Sequence, residues 1–156
     1  MFQGRLDSIF PSITLEKENA SANMDIYIKS ENMLSLSLNT NVITFENFNG
    51  TEDLEKPNAV ELTVNSSLPY DVNAYLATKI ENANKNKELD KDLLKIKANG
   101  TTNYKSFTDI NTATTLLPDE KSGKHKKHSI DLKLEGNDAV ETDVYKTTIK
   151  FEVTQK

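Results

Sequence analysis

In six separate stretches of this chain, apolar and polar residues change places at nearly every step. Ile26 and Ile28 alternate with Asp25, Tyr27 and Lys29, and Leu34, Leu36 and Leu38 with Ser35 and Ser37. Val60, Leu62 and Val64 enclose Glu61 and Thr63, while Tyr70, Val72, Ala74 and Leu76 share one parity against Asp71, Asn73 and Tyr75. Ile130, Leu132 and Leu134 alternate with Asp131 and Lys133, and Tyr145, Thr147, Ile149, Phe151 and Val153 with Lys146, Thr148, Lys150 and Glu152. Successive side chains of a strand point to opposite faces, so this rhythm describes ribbons with one apolar and one polar side. Each apolar side must lie against another layer, and a second sheet is the economical cover. The expectation is an all-β fold: a single two-sheet sandwich over residues 24–156, preceded by an arm or edge strand over residues 1–23.

Turn-forming residues separate the ribbons. Asn49-Gly50, Asn99-Gly100 and Glu135-Gly136-Asn137 tolerate positive φ, and Pro57, Pro69 and Pro118 stand where a missing N–H breaks no ladder. Val42–Phe45 reads as a further short strand, with Phe48 plugging one end of the core. Between Lys79 and Ala98 the pattern changes. Leu89, Leu93 and Ile96 recur at helical spacing and predict a one- or two-turn helix near 87–94, whereas Leu94, Ile96 and Ala98 alternate as another strand; the two can follow in succession. Residues 101–120 are Thr-rich and weakly patterned, a loop with Tyr104, Phe107, Ile110 and Leu116 as core contacts. In the first 23 residues only Ile13 and Leu15 alternate, in a candidate edge strand at 12–16.

Composition narrows the function. A chain of 156 residues can build one real core, and 36% apolar residues suffice for two thin sheets with one apolar face each. A net charge of −5 opposes nucleic-acid binding, which needs a concentrated basic face, and equally opposes attachment to anionic lipid. No stretch approaches the roughly 18 apolar residues of a membrane span. The residues after Met1, Phe2-Gln3-Gly4-Arg5, do not form the apolar stretch of a secretory signal. With no cysteine, disulfides and cysteine-ligated zinc are excluded. The 19 basic residues include a single arginine, Arg5, a usage that fits an AT-rich bacterial genome.

Chemistry-bearing motifs are sparse. His125 and His128 are the two histidines, and lysines 121, 124, 126 and 127 around them repel a divalent cation, so the segment reads as a solvated hairpin loop. There is no G-x-S-x-G elbow and no Gly-rich phosphate loop. Glu52/Asp53, Asp90/Asp92 and Asp119/Glu120 are acid pairs of the kind any acidic protein carries, and Asp138, Glu141 and Asp143 do not follow an EF-hand pattern. Sequons at Asn49, Asn65 and Asn99 are expected by chance in an Asn- and Thr-rich chain. A Lys–Asn isopeptide bond needs a buried lysine, and Lys29, Lys133 and Lys150 have the exposed parity. No catalytic residue, metal site or cofactor is expected.

The run Leu34–Phe48 followed by Ala59–Val72, with its Val-Glu-Leu-Thr-Val strand and Asn65-Ser66-Ser67-Leu68-Pro69-Tyr70 turn, resembles the first half of bacterial secreted immunoglobulin-like β-sandwich surface proteins. Val144–Thr154 is similar to their closing strand. Colonisation-factor-type pilins, spore-coat U-like proteins and the WxL cell-wall family share the arrangement, although this chain has no tryptophan for the W-x-L motif and no L-P-x-T-G sorting signal. The resemblance implies an immunoglobulin-like sandwich, an extracellular or cell-surface location, and a structural or adhesive subunit that polymerises by donor-strand complementation. Ile13, Leu15, Ile26 and Ile28 are then the donor-strand residues; alternatively they belong to the first strand of a self-sufficient sandwich. Partners under this reading are other copies of the chain, or a glycan or protein of a host or cell surface. A rival reading is a carbohydrate-binding module stacking sugars on Tyr27, Tyr75 and Tyr104.

Overall fold

The computed structural model describes residues 17–136 and 139–156. The chain divides into two units, Met1–Ser30 and Glu31–Lys156. In the first, residues 17–30 contain neither strand nor helix and are exposed throughout. Ile26 and Ile28, expected in a half-buried strand, lie here without a partner strand among the described residues. Ile13 and Leu15, and the expected edge strand at 12–16, fall outside the described residues.

The second unit is all-β, with three antiparallel sheets, none of them closed. Strands β1 (Leu34–Leu38), β2 (Leu54–Ser66), β3 (Tyr70–Leu76), β4 (Ile80–Asn82) and β5 (Glu88–Leu89) come first. They are followed by β6 (Leu94–Ala98), β7 (Lys105–Ser106), β8 (Thr114–Glu120), β9 (Gly123–Leu134), β10 (Tyr145–Lys146) and β11 (Ile149–Gln155). The five-stranded sheet has the order β1-β2-β9-β6-β7, and the two three-stranded sheets run β11-β3-β8 and β10-β4-β5. Period-two alternation translates directly into burial: Tyr70, Val72, Ala74 and Leu76 are fully buried, as are Leu62, Val64, Ile96 and Ile130, in one apolar cluster fed by all three sheets. Burying each large side chain stabilises the fold by about 1.5–3 kcal/mol before entropy is counted.

Four local expectations need correction. The helix near 87–94 shrinks to one 3-10 turn at Lys91–Leu93. The Asp90 carboxylate accepts the Asp92 N–H at 2.9 Å, and Leu94 is already extended because β6 pairs with β9 from there on. Val42–Phe45 forms no strand, although Ile43 and Phe45 still pack against the core. Residues 101–120 are not a plain loop, since they contribute β7 and β8. Lys121–His128 is not a hairpin loop either: β8 pairs with β3, β9 pairs with β2, and the chain crosses between sheets at Lys121-Ser122. A second crossing, at Ser67–Pro69, lies beside it, because Ser66 faces Gly123 and Tyr70 faces Glu120.

Pro57 sits within β2, where pairing to β9 is interrupted between Lys56 and Val60. The interruption suits a residue with no N–H to give. Asn58 next to it adopts φ 53°, and its N–H donates to Oδ1 of Asp131 at 2.8 Å instead of joining the ladder. Asp131, whose alternation predicted an exposed position, is therefore buried, filling the bulge and accepting at 3.4 Å from the Asn99 amide.

Candidate functional site

The two inter-sheet crossings bring three polar side chains together, running from buried Tyr70 to half-exposed Glu120. The Tyr70 hydroxyl on β3 lies 2.7 Å from Nε2 of His128 on β9, with the rings edge to face. Glu120 on β8 approaches the other ring nitrogen, Nδ1, at 3.6 Å. Burial is the largest influence on His128 and pulls its pKa below the usual 6.5; Glu120 opposes this and Lys126 adds to it. Burial also raises the Tyr70 pKa, with Glu120 reinforcing the shift. A tyrosine, a histidine and a carboxylate in line resemble catalytic furniture, but Tyr70 is fully buried and offers no substrate a surface. The arrangement fastens one sheet to the other. His128 escaped sequence reasoning because its lysine neighbours signal solvent, although it shares the inward parity of Ile130 and Leu132 and stands opposite Leu62 in the ladder.

The same end of the sheets carries a second tie. Nε2 of Gln155, the last residue of β11, donates to the Met33 carbonyl and to Oδ1 of Asn32, each at 3.0 Å, and reaches Ser66 Oγ at 3.1 Å. It thereby pins the end of β11 to the start of β1. Beyond this corner no hydrogen bond joins the two strands among the described residues. Pairing with β2 and β3 fixes which side chains face inward: Leu34, Leu36 and Leu38 on β1, and Ile149, Phe151 and Val153 on β11. None is fully buried; Leu34 and Leu38 keep 45% and 42% exposure. Two inward apolar rows are thus left partly open along the edges of neighbouring sheets.

The other edges are blunted. Strand β8 carries Pro118, two register shifts against β3, and Asp119 at φ 54°, and its Thr115 carbonyl accepts from the Lys105 ammonium at 2.6 Å. At the far side of the five-stranded sheet, β7 is two residues long. Prolines, bulges, charges and brevity are the usual means of stopping a sheet edge from recruiting another strand. The pairings of β1 and β11 contain no such interruption.

Tyr75 and Tyr104 lie on different sheets. Tyr27 lies in the exposed 17–30 segment. Tyr75 points outward from β3, donates to Glu152 at 2.7 Å and carries the Lys150 ammonium 4.3 Å from its ring centre. Tyr104 lies before β7 of a different sheet, with the Lys97 and Lys133 ammoniums 4.8 and 5.3 Å from its ring. Both Tyr75 and Tyr104 thus carry cation–π contacts on their rings.

The acid pairs serve local structure. Asp53 accepts the Gly136 N–H at 2.8 Å, Asp90 caps the 3-10 turn, and Asp119 holds the Lys156 ammonium at 2.6 Å. No group of three or more potential metal-ligating side chains occurs among the described residues. A shallow concavity of about 600 Å³ between residues 42–46 and 54–56 is lined by Ile43, Phe45 and Leu54 together with Thr44, Glu46, Glu55 and Lys56. No helix among the described residues is long and apolar enough to cross a membrane. No protein-family model matches the chain, and no curated protein matches it.

Proposed function

We propose that the protein is a non-enzymatic structural or adhesive subunit of a bacterial surface, exported from the cell and assembling with further copies of itself. Its sheets are read as an immunoglobulin-like two-layer sandwich, with the β11-β3-β8 sheet facing the five-stranded one across the shared core. The observation that carries the proposal is the segment at residues 24–28. Met24, Ile26 and Ile28 alternate with Asp25 and Tyr27 as in a half-buried strand, yet are 79%, 70% and 88% exposed. An apolar row of this kind gains by pairing with a sheet edge and placing one face on a core. Self-association through this segment requires neither metal nor cofactor, and the acidic charge balance favours protein or glycan partners over nucleic acid or membrane.

The glycan-binding alternative loses support from the separation of Tyr75 and Tyr104 onto different sheets and from the lysines on their rings. Size-exclusion chromatography with light scattering is the decisive experiment. The full chain is expected to form concentration-dependent oligomers, and Ile26→Asp with Ile28→Asp to leave monomers. A chain that stays monomeric at every concentration overturns the assembly reading, and glycan binding abolished by Tyr27→Ala would replace it.

A further inference from the structure

We propose that Asn99 is a self-modifying site, where the Gly100 nitrogen and water turn the side-chain amide into a carboxylate set against buried Asp131. Two Asn-Gly pairs occur in the chain, Asn49-Gly50 and Asn99-Gly100, and their surroundings differ. Asn99 and Gly100 are both exposed. They form the tip of a turn closed by the N–H and hydroxyl of Thr101, which donate to the Ala98 carbonyl at 3.1 and 2.7 Å. Gly100 adopts φ 91°, and a Cβ built on it would meet nothing within 4 Å, so the space around it is open. Its N–H donates to no acceptor among the described residues. At the other pair, Gly50 is buried, and Asn49 Oδ1 accepts from the N–H and hydroxyl of Thr51 at 2.9 and 2.7 Å, which holds the amide in place.

The reaction is intramolecular, with nucleophile and carbonyl on adjacent residues. Rotation of the backbone at an exposed, glycine-containing turn brings the Gly100 nitrogen to Cγ of Asn99. The nitrogen bonds to Cγ and gives its proton to water, the Cγ–Nδ2 bond breaks, and ammonia leaves. Water then opens the cyclic imide at one of its carbonyls, giving aspartate or isoaspartate. This hydrolysis needs no oxidant and no further reactant, and assembly plays no part in it.

The consequence lies beneath the turn. Asp131 is 4% exposed and, among the described residues, takes its hydrogen bonds from amides alone. The Asn58 N–H stands at 2.8 Å, and Nδ2 of Asn99 at 3.5 and 3.4 Å from the two carboxylate oxygens. The Asn99 separations are long for hydrogen bonds and short for two like charges. A carboxylate at Asn99 therefore repels the group that holds the Asn58 bulge of β2. Isoaspartate also lengthens the backbone between Thr101 and the Asn99 N–H, which donates to the Ser129 carbonyl at 2.8 Å. Either product loosens the junction of β6, β9 and β2 as the protein ages.

The full chain is incubated at mildly alkaline pH and sampled by peptide mapping with mass spectrometry, which reads amide-to-acid conversion at each asparagine. Conversion is expected to be several-fold faster at Asn99 than at Asn49. Asn99→Asp supplies one product directly, and its thermal unfolding midpoint is expected to fall by about 2–4 °C. Beside Asp131→Asn, which removes the opposing charge, the loss caused by Asn99→Asp is expected to shrink. Conversion led by Asn49, or absent from Asn99, overturns the site. An Asn99→Asp chain as stable as the unaltered one, or a loss undiminished beside Asp131→Asn, overturns the coupling to Asp131.

Discussion

The Tyr70 hydroxyl meets Nε2 of His128 at 2.7 Å across the boundary between two sheets, where neither strand could supply a backbone partner to the other. With the ring neutral and its proton on Nδ1, facing Glu120, the hydroxyl donates and Nε2 accepts. Tyr70→Phe keeps the ring's packing but leaves the buried imidazole without its donor. Chemical denaturation is expected to show a loss of about 1–2 kcal/mol.

The same imidazole makes stability pH-dependent. Its folded pKa is depressed, chiefly by burial, so the unfolded chain takes up the proton first as pH falls. The histidine's contribution is fully present above the unfolded value of 6.5 and is lost as pH drops from there toward the folded pKa. The denaturation midpoint is expected to decline below pH 6.5, and His128→Gln to flatten that part of the profile. An equally steep decline in the variant would assign the effect elsewhere.

A second acid limb follows from Asp143. The Asn82 side chain, donating at 2.9 Å, is the main cause of its lowered pKa, helped by the Val144 N–H and by Lys87. Buried Asn82 also accepts the N–H groups of Asn86 and Lys87, tying the β4–β5 turn together. Stability from Asp143 is present above the unfolded value of 3.8 and disappears as pH falls through the folded value. Asn82→Ala is expected to weaken this limb, leaving what the Val144 N–H and Lys87 contribute, and to increase amide exchange selectively across Ile80–Leu89.

Asp131 tests the bulge in β2. Asp131→Ala removes the acceptor of the half-exposed Asn58 N–H and is expected to cost about 1 kcal/mol. Asp131→Asn keeps an acceptor and loses less. Thermal unfolding of both variants separates the hydrogen bond from the charge.

Gly136 is irreplaceable for a steric reason. A Cβ there would stand 2.6 Å from the backbone nitrogen and oxygen of Glu52, neither of which can rotate away. Gly136→Ala is expected to destabilise by about 1–3 kcal/mol, as overpacking does elsewhere. By contrast, a Cβ added at Gly100, which has φ 91°, would meet nothing within 4 Å. Gly100→Ala therefore strains only its own backbone, at about 1 kcal/mol. A smaller loss for Gly136→Ala than for Gly100→Ala in chemical denaturation would contradict the close approach.

Alternation by itself determined that the chain is all-β and which parity of β2, β3, β6 and β9 faces the core. Those choices follow from the two-residue repeat of a strand and the cost of exposing apolar surface, both of them local. Partnership is not local. Which strands pair, where the chain leaves one sheet for the other after β2 and β8, and hence what His128 meets on the inner face and why Asp131 is buried on the opposite one, depend on contacts between residues distant in sequence. Ile26 and Ile28 carry the same rhythm as Leu62 and Val64, yet only the latter are buried, because a strand's free energy comes from the neighbours it finds rather than from its own pattern.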